Sequence, residues 1–248
     1  MNDNKKKKFD FPIDLNFYFG DEFPFDFEME GLPFSRIYYY LNKIAEIKNM
    51  DVSTKGNIYL KIENASRRLL MMLIAKKKAK DSEFPARLNI GQIFDPLIGL
   101  YEIEALYHIE AMILFARTIL DIFTYVSAYF LINLRIDSFT KFCKKVISSH
   151  DINLEPLKTK IEFIIYDKNS WIHVLSSISK RSLRDKIAHQ TVIKLEYKET
   201  SETSDIVYCY INFNNKLIPL DKFLDGLCNG VIDFCLFIEQ LIINKYNF

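Results

Sequence analysis

The sequence predicts a mainly α protein: a helical bundle with one long central helix and a small β-hairpin near the C-terminus. Three observations carry this prediction. Gly and Pro number only seven each among 248 residues, so helices are seldom interrupted. The stretch from Pro96 to about Arg135 reads as one continuous helix, about 60 Å long at about 1.5 Å per residue. After His189 the apolar period changes from helical to two, the spacing of a strand.

The elements follow in order. Residues 1–32 form an N-terminal segment of their own, a basic start followed by Phe9, Phe11, Ile13, Leu15, Phe17 and Phe19 at period two. That alternation reads as an extended arm for dimerisation or a partner, or as a short hairpin laid over the core. Residues 33–248 read as a single helical domain. Pro33 opens a helix to about Lys48 with Ile37, Leu41, Ile44 and Ile47 on one face. A second helix runs from about Ser53 to Lys80 and ends in four lysines, which either touch RNA or form a solvated end favoured by the helix dipole. Asp95 and Pro96 supply an N-cap and a first helical residue for the long helix. Shorter helices follow at Ser138–Ser149 and Pro156–Tyr166, and Ser170 caps another that starts at Trp171. The hairpin occupies about 190–213, Leu217–Leu220 offers a third short strand, and Asp221 caps a final helix whose inner face is Phe223, Leu227, Val231, Phe234, Ile238 and Leu241.

Composition bounds the function. A hydrophobic share of 49% and a charged share of 26% describe a globular chain, and a formal charge of +1 excludes a broadly basic coat for unspecific nucleic-acid binding. Cys143, Cys209, Cys228 and Cys235 form no CxxC pair and no His stands at zinc-ligand spacing, so no metal and no cofactor is expected. No signal-peptide pattern opens the chain, which points to the cytoplasm and reduced thiols. The long helix is apolar nearly all round from Ala111 to Leu134, yet Arg117 and Asp121 interrupt it and Ile122–Leu134 is too short to span a bilayer, so no membrane association is expected. No phosphate-cradling Gly loop, nucleophile elbow or HExxH motif is present. His108, His150 and His173 have no recognisable partners in the sequence and read as structural.

One segment concentrates chemistry: Arg181-Ser182-Leu183-Arg184-Asp185-Lys186-Ile187-Ala188-His189. Arg184 supplies a permanent planar cation that suits a phosphate, and His189 a proton carrier near neutral pH. Asp185 lies four residues before His189, on the same face of a helix, and can pair with it. Arg184 and His189 lie five apart, about 140° around a helix, so a compact site needs a loop, a substrate or a second copy. On the long helix Glu110, Arg117 and Asp121 lie within about 20° of one line. Charges inside an apolar helix need partners, either as a structural ion-pair network or as a support for the Arg–His segment.

The pattern Arg184-Asp185-Lys186-Ile187-Ala188-His189 resembles that of the HEPN-domain ribonucleases: Arg, a polar residue, three more, then His. The order of a long helix, a late motif and a closing helix over Pro96–Phe248 is similar to that family's helical bundle, while the N-terminal region departs from a minimal HEPN domain. The resemblance implies a metal-independent endoribonuclease, a toxin or antiviral effector, in which the RNA 2′-OH attacks the adjacent phosphate to leave a 2′,3′-cyclic phosphate and a 5′-OH. It implies His189 as general acid or base, Arg184 as stabiliser of phosphate charge, Asp185 as the group orienting His189, and Arg181 and Lys186 as RNA contacts. Implied partners are RNA, a second copy in a homodimer that pairs the motifs in one cleft, and an antitoxin or regulatory protein. The alternatives are a catalytically silent HEPN fold that binds RNA or a partner, and a structural protein whose aromatic arm docks a partner.

Overall fold

The computed structural model describes residues 32–82, 96–176, 182–184, 193, 195–199, 207–213 and 216–248. The arm expected over 1–32, apart from Leu32, and the Asp95 cap lie outside the described residues. Among these residues the chain is mainly helical, in the order α1 (Ser35–Ile47), α2 (Val52–Ser82), α3 (Pro96–Ile132), α4 (Phe139–Ile147), a 3-10 turn (Ile152–Leu154), α5 (Glu155–Tyr166), α6 (Ile172–Leu175), strands β1 (Leu195–Glu199), β2 (Val207–Phe213) and β3 (Lys216–Pro219), and α7 (Leu220–Lys245).

The framework is a hairpin of α2 and α3, the two longest helices, which pack along much of their length. Lys61 of α2 sits over the Tyr125 ring and Arg68 over the Phe115 ring, so the helices run antiparallel. Their inner faces interlock through Ile58, Ile62, Leu69 and Met72 from α2 and Ile109, Met112, Ile119 and Phe123 from α3, all buried. α7 closes the bundle with Leu227, Val231, Phe234, Ile238 and Ile242 turned inward at helical spacing. α7 is also long and apolar enough to cross a membrane by length and composition, and half of its most apolar window is buried inside the protein.

α3 stops at Ile132, short of Arg135. Asn133 adopts a left-handed φ of 55°, and the Leu134 N–H turns back to the Ala128 carbonyl at 3.2 Å, the closing bond of a helix C-terminus. The helix expected from Trp171 is only four residues long, and Ser170 does not cap it by its side chain; its backbone carbonyl accepts from His173 N–H at 3.1 Å. α7 begins at Leu220, one residue before the expected cap. Asp221 lies inside its first turn, where its carboxylate accepts from the Lys222 N–H at 2.8 Å. Lys76 and Lys80, in the lysine-rich end of α2, do not simply point to solvent. Both reach the Asp225 carboxylate, at 2.6 and 2.9 Å, and fasten α2 to α7. Burial alone would raise the Asp225 carboxyl, but these two cations outweigh it and hold it below the usual carboxylate range.

The three strands form one antiparallel sheet in the order β1-β2-β3, with Leu195 opposite Ile211 and Ile211 opposite Ile218. Cys209, Ile211 and Phe213 form the buried face, and Phe213 meets Phe223 of α7 edge-on at 6.2 Å. The inward parity is therefore that of Cys209, on the side of β2 that faces α7. The four cysteines are buried; burial raises the Cys143 and Cys235 thiols strongly and pushes Cys228 up to about 11, so these three are not poised to ionise near neutral pH.

Gly230 carries a packing role that no turn requires. It lies inside α7 against Trp171, whose ring packs between Phe139 and Phe234 at 6.3 and 5.7 Å. A Cβ at Gly230 would fall inside the van der Waals surface of Trp171 Cδ1 and Nε1. Ala is the better helix former by about 1 kcal/mol, yet the displaced indole makes Gly230→Ala a net loss of about 1–3 kcal/mol. Urea unfolding followed by tryptophan fluorescence checks this, and an unchanged or raised midpoint would show that the ring moves aside freely.

Candidate functional site

The most connected polar group of the interior is Arg117, half-way along α3. Its Nε donates to Asp121 Oδ2 at 2.8 Å, one helical turn on. Its Nη1 donates to the Leu175 carbonyl at 2.9 Å and to Thr140 Oγ1 at 3.4 Å. Its guanidinium carbon lies 5.8 Å from the centre of the Phe139 ring. Asp121 uses its second oxygen to accept from the Phe139 N–H at 2.8 Å, and so caps α4 from another helix. Ser138, which occupies the N-cap position, makes no side-chain cap bond. Thr140 and the buried Ser176 share a hydroxyl hydrogen bond at 2.8 Å. One arginine thus ties α3 to the start of α4 and to the end of α6, where the chain departs toward the motif.

Beyond Ser176 the described chain resumes at Ser182, which is buried, and continues through a helical turn at Leu183 and Arg184. Leu183 packs against the main core and Arg184 is half-buried with its Nε out of solvent. Arg181, Asp185, Lys186 and His189 lie outside the described residues. Of the expected supporting set, Arg117 and Asp121 are paired as the i,i+4 spacing predicts, but Glu110 does not join them. It makes no ion pair or hydrogen bond among the described residues, and burial raises its carboxyl above the usual range. The sequence reading missed Thr140, Ser176 and the Leu175 carbonyl; a basic residue in an apolar helix signals that acceptors must exist without saying which distant segments supply them. His108, expected to lack a partner, lies 3.8 Å from Glu104 one turn back on α3. His173 Nε2 lies 3.0 Å from the Ile165 carbonyl, a structural contact between α6 and α5.

The line of α3 that carries Arg117 and Asp121 continues toward its N-terminus through Leu114, Glu110, Tyr107 and Ile103, all within about 80° of one another at 100° per residue. Leu114, Tyr107 and Ile103 are 39%, 68% and 65% exposed, so three apolar side chains stay open on this line, with Glu110 between them. Among the described residues no group of three or more His, Cys, Asp or Glu is arranged to hold a metal ion. No protein-family model, no curated protein and no solved structure matches this chain.

Proposed function

We propose that this chain is a metal-independent endoribonuclease of HEPN type, with Arg184 and His189 as its catalytic pair. The observation that supports the reading is the seating of Arg184: a half-buried guanidinium in a helical turn, preceded by the buried Ser182 and by a segment tied down by Arg117. A cation held this way stabilises charge on a phosphate with little reorganisation. In the proposed step the 2′-oxygen attacks phosphorus and the bond to the 5′-oxygen breaks. His189 serves in moving the proton from the 2′-OH or to the departing 5′-oxygen, Asp185 orients it, and Arg181 and Lys186 hold neighbouring phosphates. The products are a 2′,3′-cyclic phosphate and a free 5′-OH.

The active form in this reading is a cytoplasmic homodimer. The five-residue spacing of Arg184 and His189 corresponds to about 140° around an ideal helix, whereas a reacting phosphate needs both within a few ångströms. A two-fold axis beside the motif brings the Arg184 of one copy to the His189 of the other. The open row Ile103, Tyr107 and Leu114, on the same side of α3 as Arg117, offers apolar area for such a contact.

Incubating the full chain with mixed RNAs in EDTA tests the proposal. Wild type should release fragments with cyclic phosphate ends, and His189→Ala should cut about 10²–10⁴-fold more slowly. Undiminished cleavage by His189→Ala would remove that residue from the site. RNA binding without cleavage by wild type would make the protein a binding module instead.

A further inference from the structure

Glu239 is the one Asp, Glu, Lys or Arg that is fully buried among the described residues, at 1% exposure in the C-terminal third of α7. Its Oε1 accepts the Ile37 N–H at 2.9 Å and so caps the first turn of α1 from the far end of the chain. Its Oε2 has no hydrogen-bond partner. The adjacent pair, Arg36 and Gln240, bond to each other at the surface, so two consecutive residues of each helix clasp α1 to α7. The chain enters this clasp under constraint. Phe34 has a φ of 81°, uncommon and costly for a bulky side chain, and is held there by burial of its ring 4.7 Å from Phe123 of α3.

Two opposed effects act on the carboxyl. Burial pushes it up to about 7, against the pull of the Ile37, Phe34 and Arg36 backbone amides and of the Arg36 charge. On its own helix the nearby ionisable group is Cys235, whose thiol burial and the Glu239 charge both raise. No ionisable group of α2 or α3 acts on it among the described residues.

We propose that Glu239 is a proton-controlled latch: neutral, it holds the first turn of α1 against α7, and on losing its proton it loosens α1. The sign follows from linkage. A carboxyl raised in the docked state and ordinary when undocked favours docking fully below 4.5, and that advantage is lost as pH rises through about 7. From about pH 6 to about pH 8 the opening constant of α1 should rise about tenfold. The latch would make the seating of α1 responsive to pH near neutrality, independently of whether the motif cleaves RNA.

Amide hydrogen exchange on the full chain, corrected for the chemical exchange rate, reads this directly. Protection of Ile37–Leu41 should fall about tenfold over that interval while the centre of α3 holds constant, and in Glu239→Gln, which keeps an acceptor for Ile37, the fall should vanish. A wild-type profile that stays flat, or an equal fall in Glu239→Gln, overturns the latch. The Ile37 amide resonance gives a measurement that needs no variant: it should titrate with a midpoint near 7, and a shift constant from about pH 5 to about pH 9 overturns the proposal.

Discussion

Arg117→Ala should lose about 3 kcal/mol of stability and lower the melting temperature by roughly 6–12 °C. The loss has three sources. Asp121 is left as a carboxylate without its cation in a partly buried position, 31% exposed at the side chain. The Leu175 carbonyl loses its 2.9 Å donor, and Phe139 loses the cation over its ring. Asp121 still reaches some solvent, which keeps the cost near the lower end of the range for breaking a buried pair. Arg117→Lys restores the charge but not the fork that reaches Asp121 and Leu175 together, so it should recover only part of the loss. Thermal melts of the two variants beside wild type decide the matter. A loss under about 1 kcal/mol for Arg117→Ala would mean that the pair behaves as a surface salt bridge. Arg117 holds the end of α6 through the Leu175 carbonyl, so if the proposed ribonuclease site is right, the same variant should also cleave RNA more slowly at temperatures where it remains folded.

The parts of this fold that were legible in the sequence are those written within a single element. The inward row of α7, from Phe223 through Val231 to Ile238, follows the helical period and is buried as read. The bounds of α1, α2, α4 and α5 fall within about two residues of their sequence signals, the precision with which helix ends are defined at all. What escaped the reading is what one element does for another. Pro33 and Ser138 are the local signals for the starts of α1 and α4, whereas carboxyl groups of Glu239 and Asp121, remote in sequence, do the capping. Which face of β2 packs inward is set by where α7 lies, as the contact of Phe213 with Phe223 shows, and the strand pattern alone does not say it. Lys76 and Lys80 looked like a solvated end because Asp225, which binds them, is some 145 residues away in the chain. The candidate site divides in the same way. The Arg117–Asp121 pair could be read from its i,i+4 spacing, while its attachment to Thr140, Leu175 and Ser176 required the fold.

Two inactive variants should restore each other. Arg184→Ala and His189→Ala, each about 100-fold or more below wild type when alone, should regain about a quarter of wild-type cleavage when mixed and allowed to exchange subunits. The fraction follows from symmetry. In an equimolar mixture half of the dimers are mixed. If each site takes Arg184 from one copy and His189 from the other, a mixed dimer has one site with both groups replaced and one with both intact. A protomer that carried its own complete site would contain a damaged pair in every pairing, and mixing would restore nothing. The assay therefore separates a shared cleft from a self-sufficient motif using two proteins that fail by themselves. A third mixture ties the recovery to the exposed row of α3. Tyr107→Glu placed on both variants puts a charge into the 68%-exposed position beside Leu114 and Ile103, and the desolvation of two such charges across a two-fold axis should prevent pairing. Recovery that persists in that mixture would locate the dimer contact elsewhere on the protein. Recovery that disappears, while each protein keeps its melting temperature, would assign the open face of α3 to the partner copy.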